Sequence, residues 1–163
     1  SDASPSLKPY QLLFESIFYV ILPPAFAYFL QSDETHLFLT LVVAALIPAY
    51  LAYRLLTQLR KFGPDQKIGN PTLVVSVGWD LGMTLHSALI LLTFVIFGIA
   101  LLLGLPWFIL WPVFLVLPIG LLEIFLMERI RRGAKPYWTV MKIASASVFF
   151  LPIYLIGFAF WIR

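Results

Sequence analysis

The chain has 163 residues, 61% of them hydrophobic and only 12% charged, with a mean hydropathy of +0.96, a formal net charge of +3 and no cysteine. That composition lies outside the range of soluble globular domains and describes an integral membrane protein. The lack of cysteine excludes disulfides, thiolate metal sites and cysteine nucleophiles, and nothing in the sequence points to nucleic acid.

A bilayer core of ~30 Å takes about 20 apolar residues per helical span, so a chain of this length holds about five. Runs such as LILLTFVIFGIALLLG and FILWPVFLVLPIGLL show none of the alternation of a β-barrel strand. The expectation is an all-α, polytopic transmembrane helical bundle forming a single domain over residues 1–163. Its spans fall near 11–31, 38–58, 80–104, 107–128 and 138–161. The opening SDASPSLKP lacks the pattern of a signal peptide.

The first span contains Pro23 and Pro24 near its middle, and Glu15 about one turn inside its start, within reach of the interface. The connection that follows, SDETH, is acidic, and His36 in it reads as solvated. Pro48 interrupts the second span, after which comes a basic connection with Arg60, Lys61 and Lys67. From Arg60 to His86 runs the longest polar interruption of the chain. Within it Thr72–Val77 reads as a short interfacial piece, Gly78 as a break, and Asp80 as the acidic residue of a helix's first turn.

His86 lies two turns into the third span, where a neutral imidazole is a candidate ligand for a metal, a haem or a chlorophyll magnesium. The connection around Leu105 and Pro106 carries no charge. The fourth span holds Pro112, Pro118 and Glu123, and the basic connection after it holds Arg129, Arg131, Arg132 and Lys135. The fifth holds Lys142 and Pro152. Glu123 and Lys142 lie at matching depths, about 9 Å from their span ends, and are expected to form a structural ion pair. Because every basic connection falls on one side, the positive-inside rule places the amino terminus in the cytoplasm and the carboxyl terminus outside. The same basic residues serve as anchors for lipid headgroups.

The prolines predict bent helices. Trp79, Trp107, Trp111, Trp138 and Trp161 lie mostly at span ends, as an interfacial aromatic belt does. Trp111, Phe149, Phe150, Phe158 and Phe160 offer faces to a lipid, carotenoid or quinone tail.

The order of features in the polar segment carries a resemblance. Gly69-x-x-Thr72 is followed by Leu73-Val74-Val75, by the turn glycine Gly78 and by a span beginning Gly82-Met83. This resembles the second conserved region of the UbiA superfamily of intramembrane prenyltransferases, and the tail RGAKPYWTVMKIASASVFFLPIYLIGFAFWIR is similar to the last span of some bacterial members. The resemblance implies the carboxyl-terminal half of that fold in a bacterial inner membrane. It also implies a residual diphosphate and metal motif at Asp65, Lys67, Gly69 and Thr72. The family's chemistry uses two acid-rich loops that hold Mg²⁺ on the diphosphate of an isoprenyl donor. Here only Asp65 matches an acidic position of the second loop, and Lys61 stands where the earlier aspartate belongs.

The resemblance therefore implies a non-catalytic UbiA-like membrane subunit, with no catalytic residue and no metal of its own. Such a subunit packs against other membrane proteins, membrane lipids and lipidic cofactors, whether pigment, quinone or isoprenoid lipid. Its host is a larger assembly such as a photosynthetic or quinone-linked electron-transfer complex. The alternative is a prenyltransferase half-enzyme or fragment, Mg²⁺-dependent, transferring an isoprenyl group to an aromatic or tetrapyrrole acceptor.

Overall fold

Inside a bilayer no water satisfies the backbone, so each apolar stretch closes its hydrogen bonds within itself as a helix. The computed structural model describes residues 10–29 and 37–162, and among these it has helices and no strand. In chain order they are α1 (Gln11–Ser16), a π-turn (Ile17–Ile21), α2 (Leu22–Phe29), α3 (Leu37–Lys67), α4 (Leu73–Val77), α5 (Trp79–Leu102), α6 (Trp107–Leu110), a 3₁₀ segment (Trp111–Val116), α7 (Leu117–Arg131) and α8 (Trp138–Trp161). The acidic connection with His36, Lys8 and Arg163 lie outside the described residues.

Among the described residues four stretches, rather than about five, are long and apolar enough to cross a membrane: Leu37–Lys67, Trp79–Leu102, Trp107–Arg131 and Trp138–Ala159. The first predicted span is the one that differs. Pro23 and Pro24 cannot donate to the carbonyls of Tyr19 and Val20, and their rings press on those carbonyls. The preceding turn widens into the π-turn Ile17–Ile21, set within a continuous helix whose apolar part, Gln11–Pro24, is shorter than the other four.

The second span also departs from its expected end. α3 continues to Lys67 with Pro48 and Pro64 inside it, a length of about 46 Å at 1.5 Å per residue. Arg60, Lys61 and Asp65 are therefore helical rather than part of a loop. The prolines of the fourth span act as their positions predict: Pro112 opens the 3₁₀ segment and Pro118 the first turn of α7.

α3 is the central helix, with half of its apolar window buried against a third for the other three spans. Ala45, Ala49 and Ala52 line one face of it and are almost completely buried, and α5 packs most extensively here. A core of Val20, Leu46, Phe97, Leu110, Val113 and Ile156 fills the end away from the basic connections. Leu55, Leu59, Val74, Met83, Met127 and Met141 fill the basic end, and Ile90, Phe94, Val116 and Val148 lie between. Gly120 lets α7 approach α5 closely: a Cβ there would stand 2.9 Å from Phe94 Cε2 and 3.0 Å from Ile90 Cγ2.

Candidate functional site

The polar segment after α3 is organised by the residues that the sequence singles out. The backbone N–H of Asn70 donates to the Asp65 carbonyl at 2.9 Å, and the Asn70 side-chain Nδ2 donates to Asp65 Oδ1 at 3.1 Å. Between them Gly69 takes φ +68°, a left-handed conformation that costs a residue with a Cβ more than glycine. Thr72 is the N-cap of α4, its hydroxyl accepting from the Val75 N–H at 3.3 Å. The Gln58 side chain accepts from the Val74 N–H, tying the turn back onto α3. α4 ends at Gly78, φ +92°, and α5 starts at once with Asp80 in its first turn. Asp65 is buried at 8% exposure and committed to this turn, while Lys67 is exposed.

A second polar cluster lies within the bundle. His86 and Glu123 have no exposed side-chain surface, and His86 Nε2 stands 3.0 Å from Glu123 Oε1. That separation is a hydrogen-bond distance, yet the ring N–H and the carboxylate are not aligned as donor and acceptor. The contact is best described as an electrostatic one. Among the described residues Glu123 Oε2, His86 Nδ1 and the buried Ser145 Oγ also lack a partner. Counted from Trp79, Arg131 and Trp138, these three residues lie at one depth, about 10–12 Å from the basic end.

The ion pair expected between Glu123 and Lys142 is not formed. Glu123 turns to His86 on α5, and Lys142 is exposed on α8. As a candidate ligand His86 is poorly presented, because its Nε2 faces a carboxylate and the ring has no exposed surface.

Lys142 belongs to a different group. With Arg60, Lys61, Thr57, Leu56 and Trp138 it lines a hollow of about 210 Å³ between α3 and α8. A second hollow of about 340 Å³ is lined by Glu15, Tyr19, Tyr50, Arg54 and Phe149. In it Arg54 and Glu15 form an ion pair that ties α1 to α3. Arg54 was not evident from the sequence as a member of a pair, although two opposite charges inside adjacent predicted spans carried the signal. At the edge of the bundle Arg131 donates to Thr84 at 2.8 Å and to Glu128 at 3.2 Å.

Magnesium coordination needs several oxygen ligands, commonly one or two carboxylates with a phosphate. Among the described residues no three His, Asp or Glu side chains come together as a metal-binding group, and Asp65 already accepts from Asn70. No protein-family model, curated protein or solved structure matches the chain.

Proposed function

We propose that this chain is a non-catalytic, UbiA-like membrane subunit that packs against other membrane proteins and lipidic cofactors in a larger complex of the bacterial inner membrane. The observation that carries this reading is the use of Asp65. Three of the four residues that the resemblance assigns to diphosphate and metal binding build a turn: Asp65 Oδ1 accepts from Asn70, Gly69 supplies the left-handed residue and Thr72 caps α4. Lys61, at the place of a metal-binding aspartate, faces a hollow lined by two further cations. An ammonium there opposes a divalent ion rather than holding it.

The surface supports the packing half of the reading. Two thirds of the apolar windows of α5, of the α6–α7 stretch and of α8 are not buried within the chain. Large side chains such as Leu102, Trp107, Phe125 and Trp161 are exposed. Such faces suit lipid tails, neighbouring helices or the tails of quinones, pigments and isoprenoids. The resemblance directs the choice of host toward a photosynthetic or quinone-linked electron-transfer complex.

The test is purification of the native chain in mild detergent, identification of what accompanies it, and assay of transfer from an isoprenyl diphosphate with Mg²⁺. Stoichiometric copurification with redox or pigment-bearing subunits, without turnover, is the expected result. Turnover that disappears in Asp65→Ala would establish the half-enzyme instead.

A further inference from the structure

α3 carries Tyr50, Arg54, Thr57 and Lys61 at spacings of four, three and four residues, which places them along one face. α8 carries Trp138, Lys142 and Phe149 at spacings of four and seven, again one face. These two rows contribute to both hollows, and Glu15 and Tyr19 of the first segment complete the deeper one. Thr57, Lys61, Trp138 and Lys142 belong to the hollow at the basic end, and Tyr50, Arg54 and Phe149 to the deeper one. Both therefore lie on one seam between α3 and α8. From Lys142 to Phe149 is about 10 Å along the helix.

The two ends of the seam differ in chemistry. At the basic end Arg60, Lys61 and Lys142 have no ion-pair partner among the described residues. Their side chains are donors only, so the hollow asks for an acceptor-rich anion. Deeper in, Arg54 is already balanced by Glu15, and the Tyr50 and Phe149 rings meet edge to face at 5.4 Å. A free anion would leave this aromatic end unused. A neutral hydrocarbon would leave three cations unpaired beside Trp138, a residue type that favours the headgroup level of a bilayer.

We propose that the α3–α8 seam binds one anionic glycerophospholipid. Its phosphate sits among Arg60, Lys61 and Lys142, and an acyl chain passes Thr57 toward Tyr50 and Phe149. A choline headgroup is disfavoured because its quaternary ammonium would stand beside the same three cations. The inference rests on the charge and geometry of the seam, and it holds whether or not the chain has a catalytic partner.

Native mass spectrometry of the detergent-purified chain, titrated with dioleoyl phosphatidylglycerol or dioleoyl phosphatidylcholine, tests it. One phosphatidylglycerol is expected to remain bound under conditions that strip phosphatidylcholine. The triple variant Arg60→Gln/Lys61→Gln/Lys142→Gln is expected to bind it on the order of a hundredfold more weakly. A control, Arg129→Gln/Arg132→Gln/Lys135→Gln, removes equal charge from the neighbouring connection and is expected to change binding by less than about threefold. Circular dichroism checks that both variants keep their helices.

Equal losses in the two triple variants would reduce the effect to general charge attraction and overturn the site. Equal retention of the two lipids would do the same. Competition distinguishes the sources of phosphate. Displacement of the lipid by equimolar inorganic phosphate would leave an anion site without a lipid, and displacement by a lower concentration of farnesyl diphosphate would reassign the seam to an isoprenyl donor.

Discussion

His86 on α5 and Glu123 on α7 face each other at 3.0 Å with neither side chain exposed, so each is the other's principal polar neighbour inside the bundle. Ionisable side chains in hydrocarbon are costly, and a buried polar group that loses its neighbour carries its desolvation cost alone. Truncating one residue should therefore be worse than replacing both. His86→Leu and Glu123→Leu are each expected to destabilise the chain by about 1–3 kcal/mol. The double variant is expected to be no less stable than either single one, measured by thermal unfolding in detergent. Strictly additive losses would mean that the two side chains do not interact.

The α5–α7 contact also depends on Gly120, one turn from Glu123 on α7. Adding a methyl group there drives Cβ into Phe94 and Ile90 of α5, at 2.9 Å and 3.0 Å. Gly120→Ala is expected to cost about 1–3 kcal/mol as overpacking, and Phe94→Leu in the same chain should recover part of the loss. Gly157→Ala is the comparison, since a Cβ at Gly157 meets nothing within 4 Å. Its expected effect is a gain of up to about 1 kcal/mol from helix propensity. Equal gains at the two glycines would show that helix propensity, which favours alanine, and not the α5–α7 approach, sets the response.

Much of this architecture is legible in the sequence because a bilayer leaves few alternatives. Apolar length gives the ends of three of the long helices to within three residues, and Pro112, Pro118 and Gly78 mark their own irregularities. Depth is legible too: the chain position of Glu123 places it correctly along the bundle axis. Facing is not. His86 and Lys142 lie at similar depths from the same end, and only the packing of α7 decides that Glu123 turns toward α5. The end of α3 was obscured by a different rule. Arg60, Lys61 and Asp65 read as a polar connection, yet the helix runs through them to Lys67 because its backbone bonds continue once outside the hydrocarbon. The π-turn at Ile17–Ile21 is a consequence of two adjacent prolines, whose joint effect is larger than the single kink read at each.

Asp65 offers a sharper chemical distinction. As a turn anchor it needs an acceptor at Oδ1 for the Asn70 amide, and asparagine retains one. As a metal ligand it needs the charge. Asp65→Asn is expected to leave the turn intact, whereas Asp65→Ala and Asn70→Ala should both expose it. Thr72→Ala should loosen the adjoining helix start by about 1 kcal/mol. The readout is the rate of limited proteolysis between residues 66 and 72. Comparable cleavage in Asp65→Asn and Asp65→Ala would deny the carboxamide-compatible role and return the charge itself to consideration.

Topology follows from the four spans and their connections. α3 ends and α5 begins at one end of the bundle, and the connection from α7 to α8 returns to that end. It carries Arg129, Arg131, Arg132 and Lys135, while the turn before α4 adjoins Arg60, Lys61 and Lys67. Positive charge concentrated at one end is expected to lie in the cytoplasm. With no native cysteine, single substitutions Gln66→Cys, Ala134→Cys and Gly104→Cys report directly on this arrangement. An impermeant maleimide applied to intact cells should label the Gly104→Cys variant alone, and opening the cells should make the other two reactive. Labelling of the Gln66→Cys variant from outside would invert the bundle, and labelling of Gln66→Cys and Ala134→Cys from opposite sides would break the four-span count.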